Sequence, residues 1–274
     1  MITSSLNRTA RAFGAACTLL ACCAFSTATW AQAGRVTATC GTVSMLTPSG
    51  GTIIAKVGDT YEPGISFNTG SDGRVVITFT DGQNVALGPD STFRITQYQF
   101  DANNIRASSS TAGLLRGTMR YVTGAIHLNN RRGVHISAGR SKVDILNAGM
   151  ADFTLAIDTP AAAAGAATVS VGEIAMDTPS GRINGISAGQ FSRWQPGAVP
   201  TPPAPLAAAP AVFQAAVAAL QGTRSPTQIS GSPECQALEA ALEAMTRAAR
   251  TLVTPFINPM LTPGGGGGCL GSPC

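Results

Sequence analysis

Histidine, lysine and aromatic residues are scarce in this 274-residue chain, with two histidines, two lysines and 5% aromatics. Each scarcity excludes a class of function. The two histidines, His127 and His135, fall on separate predicted strands flanking an Asn129–Gly133 turn. They are spaced to approach across a hairpin. With no carboxylate or thiolate close by in sequence they make an incomplete metal or proton-transfer site, and ordinary surface histidines are the expectation. Lys56 and Lys142 are the lysines; the other cations are arginines scattered along the chain, and Arg131-Arg132, in a predicted loop, is the only basic doublet. A nucleic-acid binder clusters its positive charge, so no nucleic-acid partner is expected. Few aromatics argue against a sugar-stacking surface, for which Tyr61, Phe67, Tyr98 and Phe100 are the candidates. No CxxC, HExxH or P-loop pattern occurs. The few acids lie mostly at predicted turns rather than in the facing pair that glycoside hydrolysis needs. Neither an enzyme nor a cofactor is expected.

Long apolar runs are also few. Arg8 and Arg11 precede an apolar stretch from Ala12 to Phe25, followed by small residues and Thr29-Trp30-Ala31. That order describes a secretory leader over residues 1–31, cut after Ala31, with Ala33 as the neighbouring option. The stretch is short for a membrane span, and no later segment supplies one. Leu19-Leu20-Ala21-Cys22 resembles a lipoprotein box, which makes lipidation of Cys22 the alternative to plain cleavage. The expected location is the periplasm or the medium, with a lipid anchor as the minor variant. Loss of residues 1–31 removes Arg8 and Arg11 and no acid, taking the net charge from +4 to +2. Cys40, Cys235, Cys269 and Cys274 remain. An even number in an exported chain points to disulfides, and their pairing stays open.

What the chain does have is turn residues between short apolar alternations. Val75, Ile77 and Phe79 alternate with polar neighbours, Asp81-Gly82 marks a tight corner, and Val85 with Leu87 resumes the pattern. Strands are predicted over residues 35–46, 52–56, 74–80, 83–87, 92–98, 104–107, 119–122, 125–128, 133–137, 141–146, 151–157, 167–171, 173–177, 182–187 and 190–194. Such short, evenly spaced strands predict an all-β domain over residues 34–194, as a sandwich, barrel or solenoid. A weak echo, Ile157-Asp158-Thr159-Pro160 against Met176-Asp177-Thr178-Pro179, favours stacked coils. Residues 195–210 are rich in proline and alanine and read as an extended linker outside any ladder. A helical appendage follows over residues 211–254. Its second helix has Ser232 as cap, Pro233 at the first position and an apolar stripe through Leu238, Leu242 and Met245. Such a stripe usually docks on its own domain, with binding of a partner as the alternative. Residues 255–274 carry a run of five glycines at 264–268 and Cys269 with Cys274, a flexible end.

Several of these motifs resemble the FecR-type domain. Thr69-Gly70, Asp81-Gly82 and Gly88-Pro89-Asp90-Ser91 match its "TG", "DG" and "P.S" corners. Gly41-Thr42-Val43, Val57-Gly58-Asp59, Leu115-Arg116-Gly117-Thr118-Met119-Arg120, Gly149, Phe153 and Ser187-Ala188-Gly189-Gln190 extend the likeness over residues 34–194. The resemblance implies an extracytoplasmic β module used in envelope signalling or protein interaction, without catalytic chemistry. In iron-uptake regulators a similar domain follows an anti-sigma segment and a membrane helix. Here a leader occupies that place, so the expectation is a freestanding interaction module with unidentified envelope proteins as partners. A self-assembling surface protein and a polysaccharide-binding module are the alternatives.

Overall fold

In the computed structural model, residues 32–158, 164–222 and 232–251 are described. The expected leader, Cys22 and the end containing Cys269 and Cys274 lie outside them. Among the described residues, seventeen strands form two layers that share one long strand. The first layer runs, neighbour to neighbour, β4 (Thr60–Tyr61), β1 (Gly34–Cys40), β6 (Arg74–Phe79), β7 (Asn84–Leu87), β9 (Ser109–Val122), β12 (Asp152–Ile157), β13 (Gly165–Val171), β16 (Gln190–Trp194) and β17 (Ala204–Pro205). The second runs β3 (Thr52–Ile54), β2 (Val43–Leu46), β5 (Ser66–Thr69), β8 (Thr92–Gln99), the first part of β9, β10 (Val134–Ala138), β11 (Ser141–Ile145), β14 (Glu173–Thr178) and β15 (Gly181–Ser187). Among these ladders only β9 with β10 is parallel. The chain alternates between layers while advancing along both. The fold is therefore sandwich-like in section and solenoid-like in winding. Of the echo noted above, Ile157 ends β12 and Met176-Asp177-Thr178 ends β14, while Thr159 and Pro160 lie outside the described residues.

Alternation builds the core. Ile77, Phe79, Val85, Leu87, Tyr121, Phe153 and Leu155 face inward from the first layer, against Met45, Phe67, Phe93, Ile95, Leu114, Ile136, Ile174 and Met176 from the second. β9 passes from one layer to the other at Gly117. That residue has φ +86°, and an added Cβ would sit 2.3 Å from the Ser91 hydroxyl. Only glycine fits both demands. The predicted 119–122 strand is thus the last third of a fourteen-residue strand.

Other expectations are corrected. Residues 35–46 are two strands, because Gly41, at φ +69°, turns the chain from the first layer to the second. Residues 104–107 contain a 3-10 turn, Ile105–Ala107. Residues 125–128 are a short helix, α1 (Ala125–Asn129), because Asp81 satisfies its leading amides: the Asp81 carbonyl accepts from Ala125 N at 2.9 Å and Oδ2 from Ile126 N at 3.2 Å. The proline-rich linker does join a ladder, through β17 against β16. Proline is tolerated there because an edge strand leaves its missing donor facing outward.

The appendage is docked. α2 (Ala211–Gln221) and α3 (Pro233–Thr251) cover the outer face of the first layer. Leu238, Leu242, Met245 and Ala249 of α3 pack with Ala38, Val76, Ala86 and Val122 of the strands. Ser232 Oγ accepts from Cys235 N at 3.3 Å, as its capping position predicts.

Candidate functional site

The strand registers place Ala38, Val76, Ala86, Arg120, Thr154, Thr168 and Phe191 in one row across the outer face of the first layer. Arg120 sits at the centre of that row and is fully buried. Its fork grips Asp152, with Nε to Oδ1 at 2.9 Å and Nη2 to Oδ2 at 2.6 Å. Its Nη1 reaches the helices, donating to Leu220 O at 3.1 Å, Leu242 O at 3.4 Å and Thr246 Oγ1 at 2.9 Å. Leu220 lies in the last turn of α2, where carbonyls lack intrahelical partners and a cation complements the dipole. One side chain thus joins a strand carboxylate to both helices.

A second anchor lies at the start of α3. Cys40, the last residue of β1, is disulfide-bonded to Cys235, which settles half of the cysteine question. Arg74, the cross-strand neighbour of Cys40, donates to Glu239 Oε1 at 2.6 Å and lies 3.9 Å from the Cys40 sulfur. Glu239 Oε2 is buried with no partner. Sequence reading missed Arg74, Arg120, Asp152 and Glu239. Alternation places Arg74 and Arg120 on the outer face, but only the docked helices reveal that this face is dry.

The motifs singled out in the sequence prove to hold the fold together. Asp81 is buried, and besides capping α1 its Oδ1 accepts from Gln83 N at 3.1 Å and from the Tyr98 hydroxyl at 3.3 Å. Burial pushes its carboxyl above the usual range, against the pull of these hydrogen bonds. Burial likewise raises the Tyr98 phenol. At the Ser187–Gln190 corner, Gln190 Oε1 accepts from Ser187 N at 2.9 Å. The histidines are not a pair: His127 is buried on α1 with Nε2 3.1 Å from Asn147 O, while His135 is exposed on β10. Burial lowers the His127 pKa, and Nδ1 has no partner.

The proposed sugar-stacking rings are core residues. Tyr61 packs edge-on against Phe67 at 5.1 Å and Phe79 at 5.5 Å, and Phe79 lies 5.1 Å from Tyr98. Phe100 is partly buried against the same core. With those faces filled, the basis for a polysaccharide surface on these residues is gone.

Two surface features of the described residues stand out. An open groove of about 600 Å³ lies beside the start of α2, lined by Asp90, Arg116, Asp158, Arg193, Trp194 and Phe213 among others. Its ionisable lining mixes both signs, so it selects no ligand charge. At the opposite end, β3 is an edge strand exposed throughout, with Ile53 and Ile54 on it and exposed Val57 just beyond.

No family model and no curated protein matches the chain. Among solved structures, a cell surface anchoring domain is 34% identical over 22% of this chain and 80% of its own, with a TM-score of 0.22. A candidate anti-sigma factor from Parabacteroides distasonis ATCC 8503, in two crystal structures, is 13% and 12% identical over 50% of this chain, with TM-scores of 0.38. This chain spans 57% of that protein's length. Superpositions this loose transfer neither fold nor function.

Proposed function

We propose that this chain is an exported, non-catalytic interaction module of the bacterial envelope, built on a FecR-type β domain with a stapled helical cover. The observation that carries the reading is the Cys40–Cys235 disulfide, which bonds the cover to the β body. Such a staple forms and persists in oxidising compartments, in keeping with the leader-like start of the sequence. The FecR-like motifs fall at corners and layer crossings, where they shape the backbone and leave edges and loops for recognition. Edge strands recognise partners through main-chain hydrogen bonds without active-site chemistry.

Expression of the full chain with its own leader, followed by fractionation and intact-mass analysis, tests the export half. The expected product is found outside the cytoplasm, begins after Ala31 and has Cys40 joined to Cys235. A full-length, reduced product in the cytoplasm overturns it. The interaction half is tested in the same cells with a photoreactive residue replacing Val57. Adducts with an envelope polypeptide are expected, and their complete absence defeats this half.

A further inference from the structure

Edge strands in monomeric proteins usually carry charges, prolines or bulges that discourage pairing. β3 carries Thr52-Ile53-Ile54, with Ile53 48% and Ile54 61% exposed, and Val57 59% exposed beyond it. Three of the seven large hydrophobic side chains most exposed among the described residues therefore gather at one bare edge.

The register shows which backbone groups are free to pair. Thr47 N donates to Gly51 O at 2.8 Å and Ala55 N to Val43 O at 3.0 Å, with Met45 opposite Ile53 between them. Hydrogen-bonded and non-bonded pairs alternate in an antiparallel ladder. Gly51, Ile53 and Ala55 thus direct their peptide groups to β2, and Thr52 and Ile54 direct theirs away from it.

We infer that β3 is a self-association edge, where a second copy of this chain pairs antiparallel across a two-fold axis at Ile53. A two-fold makes the strand its own complement. Centring the axis on Ile53 sets Thr52 against the partner's Ile54 and Ile54 against the partner's Thr52. Both outward-facing residues of each copy then form hydrogen-bonded pairs, four bonds in all by the alternation rule. Shifting the centre to Thr52 or Ile54 leaves only one such pair within the strand. At the Ile53 centre, Ile53 meets the partner's Ile53, and Lys56 falls opposite the partner's Gly50, so the lysines do not confront each other. The two second layers become one continuous sheet. The contact is short and belongs to the small, weak class of interfaces, so dimerisation depends on concentration.

This inference rests on the reading of the chain as an interaction module and names one partner for it. The test uses purified protein, so its outcome is separate from capture of an envelope protein. In the full chain carrying Cys269→Ser and Cys274→Ser, Ile53→Cys places two cysteines across the axis. The non-bonded pair there has a Cα separation of about 4.5 Å, within disulfide range. The expected result is an Ile53→Cys dimer under oxidising conditions, while Ile54→Cys, facing threonine, stays monomeric. Sedimentation equilibrium of the unmodified protein should show a reversible dimer. Ile54→Pro, which deletes an outward donor and leaves the β2 ladder intact, should raise its Kd at least tenfold. A strict monomer at every concentration, equal cross-linking at positions 53 and 54, or a position-53 disulfide to a co-purifying protein in place of the dimer would each overturn the inference. If Ile54→Pro does not fold, the two cysteine variants decide the matter.

Discussion

Arg74 and Glu239 stand 165 residues apart in sequence and meet at 2.6 Å beneath α3, both shielded from water. The pair ties the cover to the strand beside Cys40. Loss of one partner leaves the other as an uncompensated buried charge, which costs about 3–5 kcal/mol. Glu239→Ala should therefore lower stability in urea denaturation by that order. The double variant Arg74→Met/Glu239→Leu should recover most of the loss, because apolar packing replaces both charges.

Arg120 depends on its shape as well as its charge. Arg120→Lys keeps the cation but cannot hold the Asp152 fork and three helix acceptors together. The expected cost is about 2–3 kcal/mol. Hydrogen exchange should locate it: amides of α2 and α3 lose protection while those of the inner strands keep theirs.

The Cys40–Cys235 bond links residues 195 positions apart. In the loop-entropy model a ring of that size stabilises by about 5 kcal/mol. Cys235→Ser should shift the urea midpoint downward accordingly, and α3 should become the first site of proteolytic cleavage.

Two buried groups give opposite pH dependences. His127 has its pKa held below 6.5 by burial, so its contribution to stability is complete above 6.5 and is lost as pH falls through the lower folded value. Acidification from about pH 8 to about pH 5 should destabilise the protein, and His127→Gln should flatten that slope. Asp81 has its pKa raised above 3.8 by burial. Its contribution is complete below 3.8 and is lost as pH rises through the folded value. Asp81→Asn should remove that second, opposite slope in urea midpoints measured from about pH 3 to about pH 7.

Much of the β body was legible because alternation and turn residues are local signals. The hairpin about Asp81-Gly82, the Ser187–Gln190 corner and the α3 cap and stripe all lie where the pattern puts them. α1 was misread because the group that supports its first turn, Asp81, comes from a distant corner. β9 was read short, since its first part runs through Gly113 within the ladder and Gly117 carries the strand between layers.

The candidate anchors were the least legible part. Arg74 and Arg120 occupy outward positions that alternation assigns to solvent, and Glu239 looks like one more exposed helix acid. By itself the sequence determined the all-β body, the apolar stripe of α3 and the presence of cysteines fit for a staple, since these follow from periodicity and residue chemistry within short windows. Only the tertiary structure decided that Cys40 meets Cys235, that both arginines are dry, and that Thr52 and Ile54 turn their peptide groups outward. Those facts depend on which surfaces meet across distant parts of the chain, and no local pattern encodes them.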